Sequence, residues 1–308
     1  MTTRSKISSG IDFHKEENGT LMQYINCSKY DSHEENWVSL EELFKKEDFD
    51  FLDLLFIKMT GKQPGSAERR LFLRSLLITS LGTGCHPPSV MVPKLIASTT
   101  KNKEFAIING LIGGMATIGT DHLGAVVECM RVFELLKRMA SCSGDIRGAV
   151  EGYVGLKLAN SEKIKGFGHP VYSRDPRPAM LLREIIQEYR DDINVRIYIQ
   201  LSRAMFKKKG VHPNIDAALG LSYSIMGFEP EHGIYISFLS RSLSMVSHIL
   251  EEFPKKPFSF LNEIVSIRDF YPAEEEEAEV NELIKSMWKK KSMIDEKKSI
   301  AIKAEVSG

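Results

Sequence analysis

Residues 163–178 read KIKGFGHPVYSRDPRP. Sixteen positions hold two glycines, three prolines, two lysines, two arginines and one histidine. Proline lacks a backbone N–H and clashes inside a helix, and glycine weakens helix and strand alike, so this stretch is a loop. The glycines before His169 let the backbone approach a ligand closely, and Pro170 stiffens the exit. Lys163, Lys165, Arg174 and Arg177 surround the histidine with positive charge. Arginine grips carboxylate or phosphate through two parallel hydrogen bonds, whereas lysine acts as a point charge. An anion site and a solvated basic loop both fit this composition.

The segments on either side are helical in pattern. Downstream, residues 179–210 keep a long apolar period that ends at Gly210, and residues 211–228 and 232–253 read as two more helices. Upstream, residues 39–65 form a helical pattern stopped by Gly61 and Pro64. Ser66 then reads as the N-cap of a helix that is apolar on most faces and expected to be buried. Another helix is expected after Pro88, residues 125–140 form a strongly amphipathic one, and residues 143–160 add a further helix. Gly110, Gly113, Gly114 and Gly119 sit among apolar residues. Close helix packing explains them better than a phosphate loop, because neither GxGxxG nor GxxxxGK[ST] is present. Residues 1–35 are polar and irregular, with a short hairpin expected around Asn18-Gly19. Roughly nine helices and few alternating strands put the chain in the all-α class. The end of the chain, from about residue 274, carries an acidic block and then a basic one, and reads as a solvated helix with a frayed end.

Bulk composition narrows the functions. The chain has 308 residues, 41 basic and 41 acidic, for a formal net charge of zero. Balanced charge gives no global argument for nucleic acid or an anionic membrane. No apolar run reaches the roughly 18–20 residues that span a bilayer. The four cysteines, Cys27, Cys85, Cys129 and Cys142, form no CxxC pair, which suits free thiols in a reducing, cytoplasmic compartment. There is no HExxH, the histidines are too widely spaced for a local metal signature, and GxSxG is absent.

Four residues outside or within the loop stand out. His122, in IGTDHLGAVVECM, is either a packed or capping histidine or a functional one. His169 lies at the centre of the opening loop. Asp216, in HPNIDAALG, is either a first-turn aspartate or a partly buried base. Arg241, inside the apolar helix around SFLSRSLSMV, must snorkel or meet an anion.

At GFGHPVYSRDPRP the chain resembles the citrate synthase superfamily, most closely its citryl-CoA lyase branch. IGTDHLGAVVECM, HPNIDAALG, FLSRSLSMVSHILEE and the early helix pair around residues 51–78 are similar to further motifs of that family, in its order. The resemblance implies a two-domain, dimeric, mainly helical enzyme with its site in a cleft. Residues 1–125 with 226–308 would form the large domain and residues 126–225 the small one. It implies chemistry on the bond between the acetyl carbon of a coenzyme A thioester and an α-keto acid carbonyl, with no tightly bound cofactor and no metal. Asp216 would act as the base on the methyl carbon, His122 would donate to the thioester oxygen, and His169 would exchange a proton with the keto acid oxygen. Arg177 and Arg241 would hold substrate carboxylates. Lys163, Lys165, Gly166, Gly168 and Arg174 would contact coenzyme A. The family's keto-acid histidine before the PPS turn aligns without gaps on Gly84, and His86, two residues on, is the candidate to replace it. Arg268 is the candidate for an arginine that completes a neighbouring subunit's site.

Overall fold

The computed structural model describes residues 11–15, 21–26, 37–80, 87–169 and 173–260. His86, Arg268, Cys27, Cys85, the Asn18-Gly19 turn and the charged tail lie outside these residues. The chain divides into two compact units, residues 1–254 and 255–308. All other candidate site residues belong to the first.

Strands β1 (Ile11–Lys15) and β2 (Leu21–Asn26) pair antiparallel with Lys15 opposite Leu21, which is the hairpin pairing expected from the sequence. β3 (Trp37–Ser39) pairs with the other edge of β2. The helices follow. The run read as one helix is two, α1 (Leu40–Phe44) and α2 (Phe51–Thr60). The break comes from Asp50, whose carboxylate accepts from the N–H groups of Leu52 and Asp53 and so starts a new helix. Gly61 closes α2 in the left-handed region, at φ 74°.

Helix α3 (Ser66–Ser80) starts at Ser66 itself, and Glu68 reaches back 2.8 Å to the N–H of Gly65. It is not buried all round. Leu71 and Phe72 enter the core, but Leu73 and Leu77 are 43% and 54% exposed. Arg70 and Arg74, on the same helix, hold Glu184 at 3.2 and 2.7 Å, which keeps a charged flank in water. α4 (Pro88–Thr99) begins at Pro88, where a missing N–H costs nothing. α5 (Lys103–Ala116) lies against it. A methyl added to Gly113 would run into Ile96, and one on Gly110 would sit 2.6 Å from Ile249, so these glycines serve close packing.

Next come α6 (Ala125–Ser143), α7 (Ile146–Ala159), α8 (Pro178–Tyr189) and α9 (Ile193–Lys209). The long period over residues 179–210 is thus interrupted. Asp192 leaves helical geometry and caps α9 by accepting from Asn194 N–H at 2.7 Å. α10 (Ile215–Met226) is apolar on every side, with Ala217, Ala218, Leu219, Leu221, Tyr223 and Met226 all buried. Such a helix can only be central, and α6, α8, α9 and α3 pack around it. α11 (Pro230–Glu252) runs past α3, α4, α5 and α6. The core therefore encloses the one helix whose first turn carries Asp216.

Candidate active site

The glycine loop is fixed to the start of α10 by its own backbone. Gly168 N–H donates to His212 O and Asn214 N–H donates to Gly166 O, both at 2.8 Å. The Asn214 side chain completes the join. Its Nδ2 donates to Gly168 O at 2.8 Å, while its Oδ1 accepts from Asp216 N–H at 3.0 Å as the N-cap of α10. Gly166 and Gly168 have φ of 86° and 80°, a region other residues enter at a cost. Gly166 uses its missing side chain against the protein as well, since a Cβ there would lie 2.5 Å from Cys129 Sγ.

Asp175 is the second joint. It is 6% exposed. Its Oδ1 accepts from Arg177 Nε at 2.9 Å and from Arg177 backbone N–H at 3.0 Å. Its Oδ2 accepts from Arg177 Nη2 and from Ile215 N–H, both at 2.9 Å. Arg177 Nη2 also donates to His169 Nε2 at 3.2 Å, which leaves the neutral ring protonated at Nδ1. One carboxylate thus orients the arginine, the histidine behind it and the helix bearing Asp216.

His122 comes from a tight turn. Gly119 and His122 exchange backbone hydrogen bonds at 3.0 and 3.1 Å, and Leu123 takes φ 64°. The ring does not cap α6, whose N-cap is Gly124. Its Nε2 meets the hydroxyl of buried Ser89, in the first turn of α4, at 2.8 Å. Nδ1 is then the nitrogen left to serve a ligand.

Arg241, on α11, is 6% exposed. Its Nε and Nη1 are buried with no hydrogen-bond partner among the described residues. A buried guanidinium cannot shed its charge and is costly when unpaired.

Electrostatics draws these groups together. Burial lifts the Asp216 carboxyl from its ordinary 3.8 to about 6, against the opposing pull of Arg177, Arg241 and Lys165. His122 is held below its ordinary value by burial and by the charge of Arg241. His169 is lowered by burial and by Arg177. Arg241 is lowered by burial and by Arg177, with Asp216 acting the other way. The site thus combines a carboxylate base poised near neutrality, two neutral imidazoles and two cations. That set can remove a proton from carbon and stabilise the resulting oxyanion.

A cavity of about 480 Å³ lies beside the loop, lined by Lys163, Lys165, Gly166, Phe167, Lys209 and Asn214 among others. Lys165 also pairs with Asp121 at 3.1 Å. Gly168 and the exposed Arg174 do not line it. No group of three or more metal-ligating side chains occurs among the described residues. Sequence reasoning missed Asp175, Ser89, Asn214 and Lys209. Asp175 and Asn214 lie inside the segments that also hold Arg177 and Asp216, and nothing in their local sequence marks them out.

Comparison with known proteins identifies the fold and family. The family described as "Citrate synthase, C-terminal domain" matches residues 20–261. The "Citrate/2-methylcitrate synthase" of Bacillus subtilis (strain 168) is 33% identical over 201 residues, covering 63% of this chain and 50% of the relative. The chain therefore spans about half the length of the curated relatives it matches. The structure of citryl-CoA lyase from Hydrogenobacter thermophilus superimposes with a TM-score of 0.65 at 23% identity, covering 83% of this chain and 90% of that one. A Thermoplasma acidophilum citrate synthase, in complex with carboxymethyl coenzyme A and oxaloacetate, superimposes with a TM-score of 0.55 at 22% identity, covering 69% and 55%. The fold is shared with these enzymes, and with the family matched over residues 20–261, the chain belongs to the citrate synthase family.

Proposed function

We propose that this protein makes or breaks the carbon–carbon bond between the acetyl carbon of a coenzyme A thioester and the carbonyl of an oxaloacetate-like α-keto acid. The observation that carries the reading is the half-buried Asp216, its carboxyl raised to about 6, within the field of Arg241, whose buried Nε and Nη1 lack partners among the described residues. In the condensing direction, the Asp216 carboxylate takes a methyl proton. The enol oxygen accepts from His122 Nδ1–H, the enol carbon attacks the keto carbonyl, and the new alkoxide takes its proton through His169. In the cleaving direction, Arg177 Nη2 turns from His169 to the substrate carboxylate, the freed Nε2 of His169 receives the alcohol proton, the bond breaks, and protonated Asp216 returns a proton to the enol carbon. A donor aimed at the enol oxygen in a dry site contributes roughly 3 kcal/mol, and the carboxylate about 10²- to 10⁴-fold.

Arg241 binds a substrate carboxylate in this reading. Arg177, oriented by Asp175, adds its positive charge beside that carboxylate. Lys163, Lys165 and Lys209 hold the phosphates of the thioester in the neighbouring cavity. Coenzyme A is a substrate, with no resident cofactor. Residues 126–225 form the lobe that carries His169, Arg177 and Asp216 toward His122 and Arg241.

The active unit in this reading is a homodimer. Phe105, Ile108, Ile112 and Met115 form one exposed stripe on α5, and Leu95 on α4 and Leu250 on α11 are also exposed. An apolar stripe of that length on neighbouring helices suits a second copy.

Incubation with citryl-CoA and, separately, with acetyl-CoA and a panel of α-keto acids tests the reading. Oxaloacetate without free coenzyme A identifies a lyase. Free coenzyme A with a keto acid identifies a synthase, the activity named for the Bacillus relative. No turnover in either arm refutes the reading.

A further inference from the structure

Cys129 sits on α6, 4% exposed, between the glycine loop and α10. Two glycines close on it. A Cβ on Gly166 of the loop would lie 2.5 Å from Cys129 Sγ, and a Cβ on Gly220 of α10 would lie 2.7 Å from Cys129 Cβ. The same Gly166 position would be 3.0 Å from Ala217 Cβ. Loop, α6 and α10 thus touch through one side chain, with no room on either flank for another carbon. Both glycines are tied to the candidate site. Gly166 O accepts from Asn214 N–H, Asn214 caps the turn that bears Asp216, and Gly220 lies one turn further along the same helix α10.

We infer that Cys129 is a positioning residue, whose volume sets the separation of the glycine loop from α10 and hence of His169 from Asp216. Its thiol is used for size and softness, not for bond making: burial holds it well above its ordinary pKa, and so in the protonated form. Close-packed interiors transmit a change of one carbon as a shift of the neighbouring backbone. Here the two flanking surfaces are backbone at Gly166 and Gly220, which cannot yield by changing rotamer. A larger side chain must displace the loop, and a smaller one lets it settle toward α6.

The test compares Cys129→Val, Cys129→Ala and the conservative Cys129→Ser by amide hydrogen exchange and by pH–rate profile. In Cys129→Val, peptides spanning residues 164–169 and 212–218 should exchange at least tenfold faster, while α4 and α5 stay at the wild-type rate. The kcat should fall roughly tenfold to a hundredfold, the scale of an ångström's misplacement, and the acidic limb set by Asp216 should move. Cys129→Ala should shift that limb with a smaller loss in kcat, and Cys129→Ser should restore wild-type exchange. If Cys129→Val does not fold, the alanine and serine variants decide the matter. Unchanged exchange and an unchanged limb in Cys129→Ala would overturn the inference. Only the kinetic arm rests on the function proposed above. Wild-type protein without turnover, combined with altered exchange in the variants, would refute that function and leave the seating role standing.

Discussion

Asp216 stands at the second position of α10, where the backbone dipole favours an anion, yet burial lifts its carboxyl to about 6. The folded pKa exceeds the unfolded one, so this group's stabilising contribution is complete below about 4 and disappears as pH rises through about 6. At neutral pH the ionised form costs the fold on the order of 3 kcal/mol. Asp216→Asn should therefore raise the melting temperature at pH 7.5 and lose that advantage near pH 4, while turnover falls by about 10²- to 10⁴-fold. Differential scanning calorimetry at the two pH values, alongside steady-state rates, checks both halves. In the wild type, condensation should weaken below about pH 6 as the base becomes protonated. Arg241 carries the complementary liability. Arg241→Met keeps an unbranched apolar stem and removes a buried cation with two unpaired nitrogens, so thermal stability should rise by about 1–4 kcal/mol. The KM for the keto acid should rise sharply while that for the thioester changes little. A variant less stable than wild type would show that Arg241 serves the fold and not a ligand.

Asp175 belongs to the scale of elements, because it joins the DPR turn to the first turn of α10. Asp175→Asn keeps the shape but can no longer accept four hydrogen bonds as an anion. Losing one partner of a buried pair costs about 3–5 kcal/mol, and kcat should drop with Arg177 and His169 misaligned. Chemical denaturation and kinetics measure the two effects. An active variant with unaltered stability would remove Asp175 from the site. This residue also shows what a sequence conceals. The helices were legible because amphipathic periods and glycine stops are local, as at Gly61 and Gly210. His122, His169, Asp216 and Arg241 were legible because each was an odd residue in its setting. Asp175 was not, because its partner Ile215 N–H lies 40 positions away and an aspartate beside a proline and an arginine looks like an ordinary turn. The breaks at Asp50 and Asp192 were hidden for a related reason. Each cap is a single side chain within a charged stretch that a solvated helix face would also show. The exposure of Leu73 and Leu77 depends on where α8 packs, which no window around α3 reveals.

At the scale of the whole molecule, the exposed stripe on α5 makes oligomeric state a direct expectation. Ile112 is 59% exposed, so Ile112→Glu leaves the monomer core intact. Sedimentation velocity should find the wild type as a dimer at micromolar concentration and Ile112→Glu as a monomer. A monomeric wild type would discard the dimer. Much of the molecule's behaviour also follows from Asn214, which bonds to Gly166, Gly168 and Asp216 at once. A loop stitched in this way to a helix cannot drift from it. His169 and Asp216 are therefore held in one hydrogen-bonded seam, and their relative placement is built into the folded chain before any substrate arrives. The base and the histidine of the proposed reaction thus share one support, so damage to that seam would reach both groups together.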